Sequence, residues 1–402
     1  MTRELKTELR RIADRLQLGE YPTVLEEIFE SQRSSADPAC DLSLIDSLQQ
    51  EHNLFGKYYD LVRKAAEGIN ADPDMSLWVR TAARYCLMSD GYVMAKKLPV
   101  IQRDGSLERD FLMLMVMLPR IPVGFKRLTD HGFSKEELWD MEYAFISGMS
   151  IVEEQSGRPG IDGVYYGWLF LYLQGNIFRV NTMQFELRNL PGNILWLKNR
   201  ETGLIMPVMT KGTFHKSGLM PLDSLNYEDP EDSFKVTFEE DEENYYGHGY
   251  VEWAVSREKQ IYPKALWECV GRPGAPCLGI HIPKDTDISR EITMQNCREA
   301  LKIRNERFPE LGVANAVFGT SWLLNPRLKP LQKPNSRITQ FAECFVRYPE
   351  KDVSADSVFS FVFVRKPEDL NDLPEDTSLR RALKKLYLEG DGIHRFHGAI
   401  FP

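Results

Sequence analysis

Two side chains in the second half of the sequence have the chemistry to exchange protons with a substrate. His281 lies within the apolar run Leu278–Ile282, and an imidazole with an ordinary pKa of about 6.5 can act as a general base or orient a water. Glu186 stands in the run Ile177–Leu187 and can accept a proton directly or through water. Plainer roles stay open for both: a hydrogen-bonded histidine at a strand end, and a surface or helix-capping carboxylate. Ser321 and Trp322 follow the run Val313–Thr320, where they can shape a cleft or simply pack. Asn335 and Ser336 read equally as an N-cap and as groups meeting a ligand at that helix start. Tyr348 offers a phenol as a proton donor, with plain packing as its alternative.

Other chemistries find less support. His248, His281, His394 and His397 invite a metal-site reading, but no carboxylate stands at a recognisable ligand spacing, so no metal is expected. The six cysteines show no C-x-x-C or C-x-x-H spacing and read as reduced thiols of a cytoplasmic protein. A G-x-S-x-G nucleophile motif is missing. Net charge is −9 with no run of Lys and Arg, which argues against nucleic acid as partner. The apolar run Phe111–Leu118 is far short of the roughly 20 residues that cross a bilayer. The N-terminus shows no secretory pattern, so no membrane association is expected. Nine carboxylates between Glu228 and Glu243 form either a solvated loop and edge hairpin or a lure for a cationic amine.

These residues need elements to position them. A length of 402 residues suggests roughly two to three domains. Up to about Gly160 the pattern is helical: Leu5, Leu9, Ile12 and Leu16 share one helical face, and Leu77 to Met94 continues the period. Phe133-Ser134-Lys135-Glu136-Glu137-Leu138 predicts a capping box with a hydrophobic staple, after a Gly132 that ends the preceding helix. A last helix is expected over Asp162–Gln174. Strands are then expected at Ile177–Leu187, Ile194–Lys198, Leu204–Met209, Val236–Glu239, Tyr250–Val255 and Leu278–Ile282. Beyond these, helices Ser289–Phe308, Ile338–Val346 and Ser378–Leu388 alternate with strands Val313–Thr320, Val358–Val364 and Arg395–Phe401. The expected class is α+β, with an all-helical domain over 1–160 and a mixed sheet with flanking helices over 161–402.

Several segments in this order resemble one family. They are Gly247-His248 with Gly279-Ile280-His281-Ile282-Pro283; the helix with Cys297, Ala300 and Phe308-Pro309-Glu310; Ser321-Trp322-Leu323-Leu324-Asn325-Pro326; and Asn335-Ser336-Arg337-Ile338 with Phe341 and Phe345. Upstream, Trp168, Gly175 and the stretch Phe178–Glu186 are similar to that family's junction. The family is the GNAT-like acyltransferases, with a helical N-acyltransferase domain before a GNAT-like C-terminal domain. Two departures stand out: Val180-Asn181-Thr182 replaces Leu-Gly-Arg, and Asn325 replaces Asp.

The resemblance implies transfer of an acyl group from acetyl-CoA or another acyl-CoA to the amine of a small molecule or peptide. It then casts His281 and Glu186 as proton acceptors, Tyr348 as the acid for the leaving thiolate, and Ser289, Ser321, Trp322, Asn335 and Ser336 as binding residues. The fold's usual glycine-containing phosphate loop has no counterpart between Leu278 and Ser289 apart from Gly279 within the strand. A non-catalytic GNAT-like binding module therefore stays open beside the enzyme. Oligomeric state is left undetermined.

Overall fold

The computed structural model describes residues 3–35, 37–88, 97–99, 101–218, 233–283, 286–349, 358–363 and 366–402. Residues 89–94 of the expected helix, 228–232 of the acidic stretch, and Lys284 and Asp285 lie outside the described residues. The chain divides into two compact units, Met1–Arg179 and Val180–Pro402.

In the first unit the helices are α1 (Arg3–Leu16), α2 (Val24–Arg33), α3 (Leu42–His52), α4 (Tyr59–Ala71), α5 (Pro73–Met88), α6 (Leu107–Met117), α7 (Ile121–Asp130), α8 (Trp139–Ser156) and α9 (Gly163–Leu173). Leu5, Leu9, Ile12 and Leu16 on one face of α1 are all buried, as an amphipathic stripe requires. Phe111 to Leu118 is buried throughout, so α6 is a central helix. Ser134 and Glu137 form the expected capping box, the Ser134 amide donating to Glu137 Oε2 at 2.8 Å. The segment Gly157–Gly160, where a junction was expected, bends the chain without ending the unit. Helix α9 stays within it because Tyr166 Oη meets Cys86 Sγ at 3.5 Å and Tyr172 Oη donates to Asp140 at 3.1 Å. The bend needs a glycine: a Cβ on Gly160 would collide with the Asp110 carbonyl.

The strands in chain order are β1 (Ile177–Val180), β2 (Met183–Asn189), β3 (Ile194–Asn199), β4 (Ile205–Met209), β5 (Gly212–His215), β6 (Ser233–Val236), β7 (Glu239–Glu240), β8 (Asn244–Val251), β9 (Ala254–Val255), β10 (Gln260–Pro263), β11 (Trp267–Gly271), β12 (Pro276–His281), β13 (Val317–Ser321), β14 (Val346–Pro349) and β15 (Phe396–Ile400). Helices α10 (Arg290–Arg307), α11 (Arg337–Ala342) and α12 (Ser378–Leu388) accompany them.

One sheet has the order β1-β2-β12-β13-β15-β14; a second runs β10-β8-β4-β3-β11, with β7 and β9 also on β8. Strands β12 and β13 are parallel, joined by the crossover helix α10 that such a pair requires. The two sheets share a core: Cys277, Phe318, Tyr348 and Ala399 from the first meet Trp196, Met209 and Tyr250 from the second. A further cluster gathers Trp322, Leu328, Phe359, Phe363, Leu383, Tyr387 and Ile393. The class is α+β.

Three elements differ from expectation. The run Ile177–Leu187 is a hairpin rather than one strand, because Asn181 takes φ +51°. Asparagine tolerates that left-handed conformation. The side-chain amide of Asn181 then donates to Asn296 Oδ1 at 2.9 Å, tying the turn to α10. The helix expected over Ile338–Val346 stops at Ala342, and Val346 opens β14. There Phe345 lies against the bare backbones of Gly319 and Gly398, where added Cβ atoms would come within 3.1 and 2.9 Å of its side chain. Of the expected strand Val358–Val364, Val364 lies outside the described residues and Phe359–Phe363 form a π-helical turn, the Val362 carbonyl held by Arg380 Nε at 2.9 Å. A short apolar run broken only by Ser360 carries no clear period to separate strand from helix.

Candidate active site

Strands β2 and β12 pair antiparallel, with Glu186 opposite Gly279 and Gln184 opposite His281. Alternation puts Glu186, Gly279 and His281 on one face of the sheet. There His281 Nε2 lies 3.0 Å from Glu186 Oε2. Gly279 makes room for this pairing: an added Cβ would stand 2.7 Å from Arg188 Cδ and 3.2 Å from Glu186 Oε2. Both partners are shielded yet reachable, with side chains 28% exposed for His281 and 17% for Glu186.

The electrostatics favour an ionised carboxylate. Burial pushes the Glu186 carboxyl up, but the hydrogen bond from His281 and the charges of His281 and Arg188 outweigh it. The group ends below its ordinary value. An ionised carboxylate only accepts hydrogen bonds, so Nε2 of His281 is the donating nitrogen. In the neutral ring Nδ1 then carries the lone pair, and the arrangement is that of an imidazole base oriented by a carboxylate.

The same face continues across the sheet. Gly279 lies beside Phe318 on β13, and Thr320 pairs with His397 on β15, which in turn pairs with Tyr348 on β14. Thr320 Oγ1 and His397 Nδ1 are 2.8 Å apart, and the His397 and Tyr348 rings are 5.0 Å apart. Burial, then the positive charges of Arg188 and Arg395, push His397 down to about 4. It is therefore a neutral imidazole around pH 7. Arg188 stacks its guanidinium 5.3 Å from the Phe318 ring. The result is a polar row of Glu186, Arg188, His281, Thr320 and His397, bordering the apolar core between the sheets.

The structure thus brings His281 and Glu186 together. Tyr348 lies in the intersheet core, buried beside Trp196 and Tyr250 at ring distances of 5.8 and 5.4 Å. Ser321 accepts the Leu323 amide at 3.1 Å, and Trp322 packs in the cluster around Tyr387. Both have structural work to do.

Ser289, Asn335 and Ser336 form a second group at two helix starts. Ser289 precedes α10, and its amide donates to Asp287 Oδ1 at 2.8 Å. Ser336 caps α11 by accepting the Thr339 amide at 3.1 Å, after Asn335 at φ +57°. Gln340 links the two starts, accepting from the Arg290 amide at 3.3 Å and donating to the Asn335 carbonyl at 2.9 Å. With Asp287 on the Ser289 amide, that amide already has an acidic partner where the fold commonly presents amides to phosphate.

The sequence alone assigns no separate role to Arg188 and Thr320, and suggests His397 only as a metal ligand. Their signal is the i, i+2 spacing of Glu186 with Arg188, which acquires meaning once Gly279 is placed opposite Glu186. Of the metal-candidate histidines, His248 Nδ1 lies 2.9 Å from the Ser256 carbonyl, and His281 and His397 pair with Glu186 and Thr320. Among the described residues no cluster of His, Cys, Asp and Glu is arranged to hold a metal ion.

A helical first unit followed by this mixed sheet is the architecture of acyltransferase structures. The model of the GNAT-like C-terminal domain matches residues 177–400, and the chain belongs to that family. An acyltransferase solved with decanoyl-CoA and teicoplanin matches with a TM-score of 0.66 at 17% identity, over 98% of this chain and 99% of that one. An acyltransferase mutant with octanoyl-CoA gives 0.66 at 17%, covering 98% and 100%. An acyltransferase with decanoyl-CoA gives 0.65 at 19%, covering 98% and 99%. At these identities the likeness is one of fold. A comparison with curated proteins gives no match.

The family's departures now have local reasons. Asn181 occupies a left-handed position that suits the family's glycine. Asn325 accepts the Arg327 amide at 2.9 Å and donates to the His394 carbonyl at 2.9 Å. An aspartate could make only the first of these bonds.

Proposed function

We propose that this protein is a cytoplasmic acyltransferase that moves an acyl group from acyl-CoA to an amine of a small molecule or peptide. The observation that carries the reading is the His281–Glu186 pair at the end of β12, within a GNAT-like domain. Structures of the same fold with octanoyl-CoA and decanoyl-CoA make these thioesters the first donors to try, beside acetyl-CoA. One of those proteins was solved with teicoplanin, which supports a peptide-like acceptor.

In the proposed reaction the amine nitrogen attacks the thioester carbonyl, the C–N bond forms and the C–S bond breaks. His281 takes the ammonium proton, and Glu186 holds the ring in the tautomer that can receive it. The departing CoA thiolate takes a proton from solvent or an acid. Placing both substrates side by side supplies much of the rate, as in other bimolecular transfers.

A second reading is a GNAT-like module that binds ligand without turning it over. The lack of glycine between Ile280 and Ser289, and Asp287 on the Ser289 amide, favour it.

The test follows release of the CoA thiol from acetyl-, octanoyl- and decanoyl-CoA with a panel of amines, amino sugars, short peptides and teicoplanin. Thermal shifts with CoA run alongside. Amine-dependent thiol release supports the enzyme. CoA binding without any release supports the binding module, and neither signal removes acyl-CoA from the account.

A further inference from the structure

The hairpin between β8 and β9 closes on a two-residue turn, Glu252-Trp253, with Val251 paired to Ala254. Both turn residues are left-handed, at φ +48° and +73°. Asn-Gly is the favoured occupant of such a turn, and a tryptophan there carries backbone strain. The indole gains contacts in return. It meets the Phe396 ring edge-on at 5.5 Å and lies 5.2 Å from the Arg347 guanidinium.

Among the described residues Arg347 has no carboxylate counter-ion. Its Nη1 donates to the Leu324 carbonyl at 3.1 Å. The neighbouring acid, Glu343, is held by Lys329 at 2.8 Å. Burial pushes the Arg347 guanidinium down, with Glu343 opposing the shift. A guanidinium drawn partly out of water gains from an anion brought to it. The same side chain lines a shallow pocket open to solvent. Leu323, Leu328 and Ile338 form apolar walls, and Asn325 and Thr339 add polar groups. Lys329 and Glu343 also line it, and their mutual pair offsets their charges.

We propose that this pocket binds a small carboxylate with an apolar stem, the carboxylate on Arg347 beside the Trp253 indole and the stem against Leu323, Leu328 and Ile338. The planar fork of an arginine suits a carboxylate. None of the pocket residues belongs to the His281–Glu186 row, and the inference stands without the acyl-transfer reading.

Isothermal titration of the full chain tests it, with sodium hexanoate as probe and hexylamine and inorganic phosphate for comparison. Hexanoate is expected to bind saturably and more tightly than either comparison probe. Arg347→Lys, which keeps the charge and loses the fork, is expected to weaken hexanoate by about tenfold. Arg347→Met, checked for native circular dichroism, is expected to abolish binding. The proposal is overturned if the wild type shows no saturable binding, if folded Arg347→Lys binds hexanoate equally well, or if hexylamine or phosphate binds as tightly.

Discussion

His281 Nε2 and Glu186 Oε2 stand 3.0 Å apart across the β2–β12 pair, over the bare backbone of Gly279. The pairing outweighs the upward push of burial on the Glu186 carboxyl and fixes the imidazole. Removing one partner therefore has consequences for the other.

In His281→Ala, burial is left as the main influence on Glu186, so its carboxyl should rise above its ordinary range. Stripping a partner from a buried charge costs about 1–3 kcal/mol. Urea unfolding at pH 7 should show that loss, and His281→Ala/Glu186→Gln should recover most of it. In the wild type the sign is opposite: Glu186, lowered in the folded state, contributes stability that is present above its unfolded value. That contribution disappears as pH falls through the lowered folded value. Equal stability of the single and double variants would argue against the coupling.

His397 adds a separate pH dependence. Its folded value of about 4 lies below the unfolded value of about 6.5, so the unfolded chain gains protons first on acidification. Stability should fall between about pH 6.5 and pH 4, by roughly 3 kcal/mol in total for this group. His397→Gln should flatten that decline in a series of denaturation curves. An unchanged slope would show that His397 titrates normally.

Gly279→Ala tests the space over the β2–β12 pair. The new methyl would press on Arg188 and Glu186, at a cost of about 1–3 kcal/mol. Glu186 should be displaced from His281, with amine-dependent thiol release falling although the protein remains folded. Wild-type activity with an unshifted melting temperature would mean the row has room to spare.

Glu252→Asn should stabilise the hairpin without touching the core. Glu252 is exposed at φ +48°, and asparagine adopts that conformation more readily, for a gain of roughly 0.5–1 kcal/mol. A rise in melting temperature checks it; a fall would place Glu252 in an interaction absent from this structure.

What the sequence revealed was local. The Ser134–Glu137 capping box, the limits of α12 and the short strands β3 and β4 each follow from neighbouring residues. His281 and Glu186 were legible as separate proton acceptors because each ends or interrupts an apolar run. Their meeting was not, since it depends on the Asn181 turn, which an unbroken alternation conceals. Tyr348 shows the converse: its type suggests an acid, but only the register with His397 reveals that it faces the intersheet core. Likewise Val358–Val364 could not be told from a strand, because the Arg380 contact that holds its π-turn comes from a later helix.

The central claim is that His281, oriented by Glu186, removes the amine proton during acyl transfer from acyl-CoA. Steady-state thiol release by wild type, His281→Ala and Glu186→Gln measures it most directly, with whichever thioester and amine the panel identifies. The account predicts that His281→Ala loses about 10²- to 10⁴-fold in kcat with little change in KM for the thioester. Glu186→Gln should lose less. Full turnover by the folded His281→Ala protein would contradict it.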